Sequence, residues 1–365
     1  MNYPMNPSDI PVVSPSIPHV DVAVVGLGFA GSAVALEALR SGFSVRVFQH
    51  PVDSYPKASR VASGLINPLV LKRRRMVGGA SLAWPIAQEF YQRLESETGV
   101  TFFARVPVRE HLANVKDAAD WSVLAERPGF AELLDPESTA NPFEGLELNR
   151  LGTVRASGRI VPGRFFEAVE ARLEGCVVAQ SVVDLTHESG KWVLWGTEKK
   201  AHVTASRVVL CEGPRAPLAE KFWGDLEFAL VRGEGIDVEI PDLNLDGPLH
   251  GKFFLLPAGE GHANRYKVGA TYAWDGLEQP VPTAEGREEL ESWLRSWLRL
   301  PHTVVDHWCG VRPARKSREV LCEWHADAPG LGILNGLGSR GALMAPWKAR
   351  QLLLDESADA SCEAR

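Results

Sequence analysis

The residues best suited to chemistry lie in one glycine-rich stretch near the N-terminus, "VAVVGLGFAGSAVALEALRSGFSVRVFQH". Its spacing G-x-G-x-x-G places glycines at Gly26, Gly28 and Gly31. The first glycine permits a tight turn, the second lets the backbone approach a pyrophosphate, and the third lets a helix pack against a strand. Phe29 and Ala30 would open that helix, whose free N–H groups and positive dipole end suit phosphates. The stretch therefore predicts a dinucleotide site.

The end of the same stretch departs from the usual dinucleotide pattern. An acidic residue that accepts hydrogen bonds from the adenosine ribose is expected about 20 residues after the glycines. Gln49 stands there instead. Its amide oxygen accepts a hydrogen bond without a formal charge, so we expect a weaker ribose contact. His50 or a backbone group is the alternative partner.

A second glycine turn occurs near the C-terminus, in "NGLGSRGALMAP". A buried strand is predicted before it at 332–335, and a helix opens after it. Two glycine turns that each open a helix suit a ligand with a head and a tail. The first turn would hold a pyrophosphate, and the second would direct its positive helix end at a ring that gains negative charge on reduction.

The elements around these turns predict the architecture. Strands at 20–25 and 44–48 flank a helix at 30–40, which is a βαβ unit. Antiparallel strand patterns occupy 226–275, and a helix at 284–300 carries a Leu/Trp stripe typical of a core face. We predict an α/β fold (α+β overall), with a Rossmann-like dinucleotide domain and an inserted antiparallel-sheet substrate domain. The predicted boundaries are a disordered leader at 1–18, a dinucleotide-binding domain at 19–83, 150–225 and 301–358, and a substrate domain at 84–149 and 226–300.

Composition limits the class of protein. The 365-residue chain has 39 lysines and arginines against 46 aspartates and glutamates, a formal net charge of −7, which argues against a protein that coats nucleic acid. Five scattered cysteines without C-x-x-C spacing predict reduced thiols in a cytoplasmic protein, with no disulfide frame and no metal site. The N-terminus lacks the order of a signal peptide, and no apolar run approaches the roughly 18 residues needed to cross a bilayer.

Two further features leave alternatives open. The basic run "KRRR", Lys72 to Arg75, is either a solvated face or a contact for an anionic partner, namely a phosphate-bearing substrate or RNA. Aromatic residues do not interleave with it, which gives base stacking little support. Tyr266, Tyr272 and Trp274 either wall a substrate pocket or pack in the core.

Eight segments, in order along nearly the whole chain, together resemble one known family. They are "VVGLGFAGSAVALEALRSGFSVRVF", "ASGLINP", "GRIVPGRFFEAV", "RVVLCEGP", "VRGEG", "LLPAGE" with "YKVGATY", "CGVRPAR" and "NGLGSRGALMAP". The chain resembles the FAD-dependent D-amino-acid oxidase superfamily, which includes glycine oxidase, sarcosine oxidase and the oxidase domain of the tRNA-modifying enzyme MnmC.

This resemblance implies an activity and two substrate-binding residues. It implies non-covalently bound FAD and oxidation of a C–N bond in a small-molecule amine or amino acid, with a hydride passing to flavin N5 and oxygen as the usual electron acceptor. Arg312 of "GVRP" corresponds to the arginine that meets a substrate carboxylate, and Arg340 of "GSRG" to a second pocket arginine. A guanidinium fork matches a planar carboxylate. A structural cap or ion pair is the alternative role of Arg312.

The resemblance also implies positions around the cofactor, none of which the residues alone reveal. They are Ala62, Ser63 and Gly64 near the inner edge of the flavin; Val183, or Val182, at the adenine; Cys211, Glu212 and Gly213 over the ribityl chain; and Gly338, Ser339, Arg340, Gly341 and Ala342 at the pyrimidine edge.

Three functions are compatible with these patterns. The first is an FAD-dependent oxidoreductase acting on an amine or amino acid. The second is an MnmC-like oxidase that acts on a modified wobble uridine of tRNA, with RNA bound at Lys72 to Arg75. The third is a flavin-binding protein without turnover, with which Gln49 is consistent.

Overall fold

The computed structural model describes residues 17–51, 55–259 and 261–354; all but the last two residues of the predicted leader at 1–18 lie outside this range. None of the helices in these segments combines the length and the apolar character needed to cross a bilayer. The helices are α1 (Phe29–Arg40), α2 (Ala58–Val61), α3 (Ala80–Thr98), α4 (Val115–Ala125), α5 (Pro162–Arg172), α6 (Pro217–Trp223), α7 (Ala284–Trp297) and α8 (Gly341–Leu354).

The strands fall into two large sheets and two small ones. They are β1 (His19–Val25), β2 (Val45–Phe48), β3 (Leu65–Ile66), β4 (Leu69–Val70), β5 (Arg75–Met76), β6 (Phe103–Ala104), β7 (Val108–His111), β8 (Leu134–Ser138), β9 (Leu151–Val154), β10 (Gly158–Ile160), β11 (Val177–Val178), β12 (Asp184–Glu188), β13 (Lys191–Trp195), β14 (Ala201–Leu210), β15 (Phe228–Glu239), β16 (Leu249–His250), β17 (Phe254–Gly259), β18 (His262–Gly269), β19 (Thr303–Arg315), β20 (Leu321–Trp324) and β21 (Leu331–Asn335).

The first large sheet has a parallel centre. β11, β2, β1, β14 and β21 lie side by side in that order and run parallel, while β12, β13 and β20 add antiparallel pairs. Along β1, Val22 and Val24 pack into one core cluster and Ala23 and Val25 into another. From Val22 to Val25, β1 is therefore apolar, because both faces of the sheet are covered there. The helices α1, α3, α5 and α8 all contribute to the first of these clusters.

The second large sheet is mostly antiparallel, in the order β19, β15, β18, β17, β16, β7, β9 and β8. β15 and β19 pair from Phe228 with Arg315 to Glu239 with Thr303. The helix α7 places Leu290 and Leu294, both fully buried, in the core beside this sheet. The predicted core role of its Leu/Trp stripe is confirmed, and so is the predicted fold class of parallel and antiparallel sheets with helices.

Three elements pack with a different domain from the one to which the predicted boundaries assign them. β19 and β9, which those boundaries assign to the dinucleotide domain, pair within the second sheet. Conversely, α3 shares the core of α1, α5 and α8, although the boundary at 84 assigns most of it to the substrate domain. The boundaries themselves stay a prediction.

Candidate functional site

The first glycine turn, Gly26–Gly31, closes tightly against the end of β14. Gly26 has φ +103°, and a side chain there would begin 2.3 Å from the carbonyl oxygen of Cys211. A side chain on Gly31 would begin 1.8 Å from the carbonyl oxygen of Gly26. Both positions therefore require glycine, because backbone atoms occupy the space of a Cβ.

The N-terminus of α1 has almost no partners of its own. Its cap residue, Gly28, offers no side chain, and its first turn contains no acidic residue. The N–H of Phe29 donates to Ser59 Oγ at 3.2 Å. The hydroxyl of Ser32 is fully buried and has no hydrogen-bond partner within the described residues. A helix end with this shortage of acceptors suits an anion.

Sequence reasoning missed Ser59. Its Oγ lies 3.0 Å from where a Cβ on Gly28 would be, so it sits directly over the turn that would hold a pyrophosphate. It lies on α2, just before the predicted loop of Ala62, Ser63 and Gly64. Gly64 has φ +71°, and a side chain there would begin 2.0 Å from the Ile160 carbonyl oxygen. The available signal was a serine in a short run of small residues beside that loop.

The second glycine turn, Gly336–Gly341, is held from two sides. The N–H of Gly338 donates to the carbonyl of Pro313 on β19 at 2.8 Å. On the other side, the buried hydroxyl of Tyr91 donates to the carbonyl of Ala342 at 2.6 Å. The exposed Ser339 lies between these two attachments. The turn thus has a fixed place between the second sheet and α3.

The two glycine turns meet. A Cβ on Gly341 would lie 2.9 Å from Cδ2 of Phe29, so the start of α8 contacts the start of α1. The buried Asn335 donates from Nδ2 to the carbonyl of Gly213 at 2.9 Å and accepts from the N–H of Gly336 at 2.8 Å. The turns that follow β1, β14 and β21 therefore converge at the carboxyl ends of parallel strands, where ligands of such sheets bind. Asn335 was not predicted.

Two predicted residues make backbone hydrogen bonds to strands of the first sheet. The N–H of Gln49 donates to the carbonyl of Val178 on β11 at 3.0 Å. Val183 is 49% exposed, and its N–H donates to the carbonyl of Trp195 at 2.8 Å. Because the N–H of Val183 is hydrogen-bonded within the protein, its carbonyl is the backbone group that would contact an adenine. Their ligand roles stay predictions.

Arg312 lies on the face of β19 that looks toward both turns. Gly310 and Ala314 share this face, because alternate residues of a strand point to the same side. A Cβ on Gly310 would lie 3.1 Å from Cα of Ala58 in α2, and one on Gly338 would lie 3.3 Å from Cβ of Ala314. The Arg312 side chain therefore enters the space between α2 and the second glycine turn.

The guanidinium of Arg312 has neutral partners. It lies over Gly233, where a Cβ would be only 2.2 Å from Nη2. It donates to the carbonyl of Thr271 at 3.3 Å and sits 4.6 Å from the ring centre of Tyr272. Within the described part of the chain it forms no ion pair with a carboxylate. Burial lowers the pKa of Arg312, as expected for a cation with little solvent.

The residues of 270–283, here called the cover segment, pass over Arg312. The hydroxyl of Tyr55 donates to the carbonyl of Leu277 at 2.8 Å. Arg215 donates to the carbonyl of Glu278, also at 2.8 Å. At its end, the buried carboxylate of Glu234 accepts from the N–H of Thr283 at 2.7 Å and from its hydroxyl at 2.9 Å. Both sheets therefore hold this segment in place.

The other arginine assigned to the pocket, Arg340, is in different surroundings. Its Nη2 donates to the carbonyl of Arg318 at 2.7 Å. Burial, followed by the positive charges of Arg318 and Arg75, lowers the pKa of Arg340. In the described residues, Arg340 and Arg312 share no hydrogen-bond partner. The structure thus places these two arginines in separate contacts, which the sequence did not indicate.

The remaining predicted features separate into core and surface. Tyr266 is buried and packs in the core of the second sheet, whereas Tyr272 and Trp274 of the cover segment are 59% and 66% exposed. In the basic run, Arg74 pairs with Asp117 at 3.1 Å and also reaches Asp120. Lys72, Arg73 and Arg75 are exposed.

Glu212, in the turn after β14, is a buried acid. Its carboxylate accepts from the backbone N–H groups of Leu218 and Ala219, at 3.3 and 2.9 Å, and so caps α6. Burial raises the pKa of Glu212 to about 7 despite these hydrogen bonds. The adjacent Gly213 has φ +74° and nothing within 4 Å of its Cβ position. The turn therefore leaves room above it, as a cofactor chain requires.

These features together fit a dinucleotide with a redox-active ring. The N-terminus of α1 with Ser59 suits a pyrophosphate, and the open Gly213 and the second glycine turn suit the rest of an extended ligand. Arg312, a half-buried arginine with no carboxylate partner in the described chain, faces the same space. The arrangement fits a dinucleotide-dependent oxidoreductase.

Comparison with known proteins gives the family. Residues 21–353 match the DAO model, described as FAD dependent oxidoreductase, and the chain belongs to this family. The predicted family, the predicted cofactor FAD and the predicted enzyme class are thereby confirmed. Relatives include the tRNA 5-methylaminomethyl-2-thiouridine biosynthesis bifunctional proteins MnmC of a Caulobacter species, 25% identical over 91% of this chain and 53% of that protein, and of Magnetococcus marinus, 26% identical over 91% and 55%. The chain spans about half the length of these curated relatives.

Solved structures share the fold. The crystal structure of glycine oxidase from Geobacillus kaustophilus matches with a TM-score of 0.75 at 19% identity, covering 94% of this chain and 95% of that one. Iminodiacetate oxidase from a Chelativorans species matches with a TM-score of 0.75 at 17% identity, covering 91% and 94%. L-α-glycerophosphate oxidase from Mycoplasma pneumoniae, with FAD bound, matches with a TM-score of 0.73 at 16% identity, covering 92% and 94%.

Proposed function

We propose that this protein oxidises the C–N bond of an amine that carries a carboxylate, in the manner of an amino-acid oxidase. The observation that carries the proposal is the half-buried guanidinium of Arg312, which faces the space between α2 and the second glycine turn without a carboxylate partner among the described residues. A half-buried cation in this state is costly unless an anion reaches it. A substrate carboxylate supplies that anion.

The residues of the chain divide the work of binding and orientation. Arg312 would hold the carboxylate through two parallel charge-assisted hydrogen bonds. Tyr272, whose ring stacks beside that guanidinium, would limit access of water from the cover segment. FAD, when bound, would supply the acceptor for the hydride of the carbon next to nitrogen. The substrate nitrogen would release its proton to water, and water would then hydrolyse the imine to a carbonyl compound and an amine.

The site around FAD is part of the same proposal. We propose that Ser59 joins the predicted contacts at the first glycine turn, at Ala62 to Gly64, at Cys211 to Gly213 and at 338–342. We also propose that the substrate domain of 84–149 and 226–300 gains β9 and β19, and that α3 belongs to the dinucleotide domain. We further propose a cytoplasmic location.

Anaerobic reduction of the bound flavin tests the function. Purified protein with FAD is mixed with glycine, sarcosine or iminodiacetate, and with methylamine and dimethylamine as matched amines without a carboxylate. We expect at least one carboxylated amine to bleach the visible flavin absorbance, and the matched amines to leave it unchanged. Bleaching by the matched amines at equal rates, or by none of a broad set of carboxylated amines, would contradict the proposal.

A second candidate has specific support. The relatives named MnmC are tRNA-biosynthesis proteins, and the exposed rings of Tyr272 and Trp274 offer surfaces on which bases can stack. The substrate would then be a carboxylated amine attached to a wobble uridine. Charge reversal of Lys72, Arg73 and Arg75 should abolish binding of a tRNA anticodon hairpin while turnover of small amines continues. If the wild-type protein binds no such hairpin, modified or unmodified, this candidate fails.

A further inference from the structure

We propose that Arg75, Arg318 and Arg340 form a binding subsite for a phosphate group beside the second glycine turn. The subsite rests on the proposed function in one respect, because the phosphate would belong to the substrate whose amine is oxidised nearby. It is separate from Arg312, which has its own partners in the cover segment.

Three segments that are distant in sequence bring these arginines together. Arg340 ends the second glycine turn and donates to the carbonyl of Arg318, in the loop after β19, at 2.7 Å. Arg75 opens β5, and the chain after β5 reaches α8, since a Cβ on Gly79 would lie 2.4 Å from the ring of Trp347. Burial first, and then the positive charges of Arg318 and Arg75, lower the pKa of Arg340, which agrees with this placement.

The balance of charge at this place is positive. Arg340 precedes α8 directly, and the first turn of α8 contains no acidic residue to offset its positive dipole end. In the part of the chain that the structure describes, Arg75, Arg318 and Arg340 form no ion pair. By contrast Arg74, in the same hairpin, binds two aspartates. Like charges that lie close together repel one another, and a bound anion would offset that repulsion.

Phosphate is the anion that this arrangement matches best. Its oxygens accept from several guanidinium groups at once, and it carries more charge than a carboxylate. Arg75 and Arg318 are exposed while Arg340 is partly buried, so the group would approach from solvent and remain partly hydrated. Such a phosphate comes either from an RNA strand or from a small phosphorylated amine.

Binding measurements on the FAD-loaded protein test the subsite without turnover. The probes are inorganic phosphate and uridine 5′-monophosphate by calorimetry, and a fluorescent RNA anticodon hairpin by anisotropy at several salt concentrations. The test variant is Arg75→Gln with Arg318→Asn, since Asn tolerates the φ of +67° at position 318. The matched control is Arg105→Gln with Arg127→Gln, two exposed arginines outside the basic run, which removes the same charge.

We expect the test variant to bind at least one probe about tenfold or more weakly, and the control to bind it like wild type. If RNA is the source, the hairpin binds far more tightly than the nucleotide and the salt slope falls by about 2 in the test variant. If the source is a small molecule, only phosphate or nucleotide binding changes. Any of three results would overturn the inference. They are that no probe binds, that the control and test variants lose the same affinity for the probe, or that the test variant no longer binds FAD. These binding results can be interpreted even if the protein oxidises no amine, because none of the measurements depends on turnover.

Discussion

The proposed binding of a substrate carboxylate depends on one side chain, that of Arg312. Replacing it by Leu removes the guanidinium and leaves the polar carboxylate of the substrate unpaired. We expect KM for a carboxylated amine to rise about 100-fold or more, which corresponds to roughly 3 kcal/mol of charge-assisted hydrogen bonding, with a smaller change in kcat. Arg312→Lys should recover part of the loss, because Lys keeps the charge without the planar fork.

The control for Arg312 is chemical. Any slow turnover of an amine without a carboxylate should be the same in wild type and in Arg312→Leu, and the FAD content should stay equal. Equal KM values for the carboxylated substrate in both proteins would remove Arg312 from the binding site.

The raised pKa of Glu212 predicts that the free energy of unfolding depends on pH. Its folded pKa of about 7 lies above the ordinary value of 4.5, so the folded protein holds this proton more tightly than the unfolded chain. Its effect on the free energy of unfolding is therefore most favourable below pH 4.5, declines as pH rises to about 7 and is then constant. Glu212→Gln should remove this decline, and should gain about 1–3 kcal/mol relative to wild type between pH 5 and pH 8.

Thermal unfolding of both proteins at pH 5, 6.5 and 8 measures the effect of Glu212. Because Gln keeps one amide oxygen for capping α6, the two proteins should differ least at pH 5. Parallel melting temperatures across the series would show that the carboxyl is not a buried acid.

At the scale of elements, sequence periodicity predicted the strands, turns and helices that are specified by local sequence patterns. The strand, turn and helix around Gly26–Gly31 and those around Gly336–Gly341 agree with prediction to within two residues, because glycine and apolar periodicity mark them in sequence. Ser59, Asn335 and Gly233 were not predicted. Each acts on a segment far away in the chain, and a single serine, asparagine or glycine carries no periodic signal of such a contact.

The cover segment gives the prediction for this scale. Tyr55→Phe removes the hydrogen bond to the carbonyl of Leu277 and should loosen the segment over Arg312. We expect KM for the carboxylated substrate to rise several-fold, FAD content to stay unchanged, and stability to fall by about 1 kcal/mol.

Tyr266→Phe is the matched control for Tyr55→Phe. It removes a buried hydroxyl that donates to the carbonyl of Leu243 in the core of the second sheet. It should lose similar stability without a change in KM. If both variants shift KM alike, the effect is general loosening, and the cover segment has no special role in substrate binding.

At the scale of the whole molecule, the two glycine turns, which are far apart in sequence, lie side by side. The first glycine turn follows β1, the second follows β21, and β14 lies between these strands in the parallel sheet. A single FAD that touches both turns would therefore link the first and last elements of the fold. Bound FAD should raise the melting temperature of the apoprotein in proportion to the logarithm of its excess over Kd, as one cooperative transition.

Gly341→Val tests whether the two turns share that ligand. Its Cβ would lie 2.9 Å from Cδ2 of Phe29, so the added side chain must push α8 away from α1. We expect FAD affinity to fall about tenfold or more and the melting temperature to lose its dependence on added FAD. Gly78→Val is the control, because nothing lies within 4 Å of its Cβ position. If Gly341→Val binds FAD like the control, one ligand does not bridge the two ends, because separating the turns would then leave its contacts unchanged.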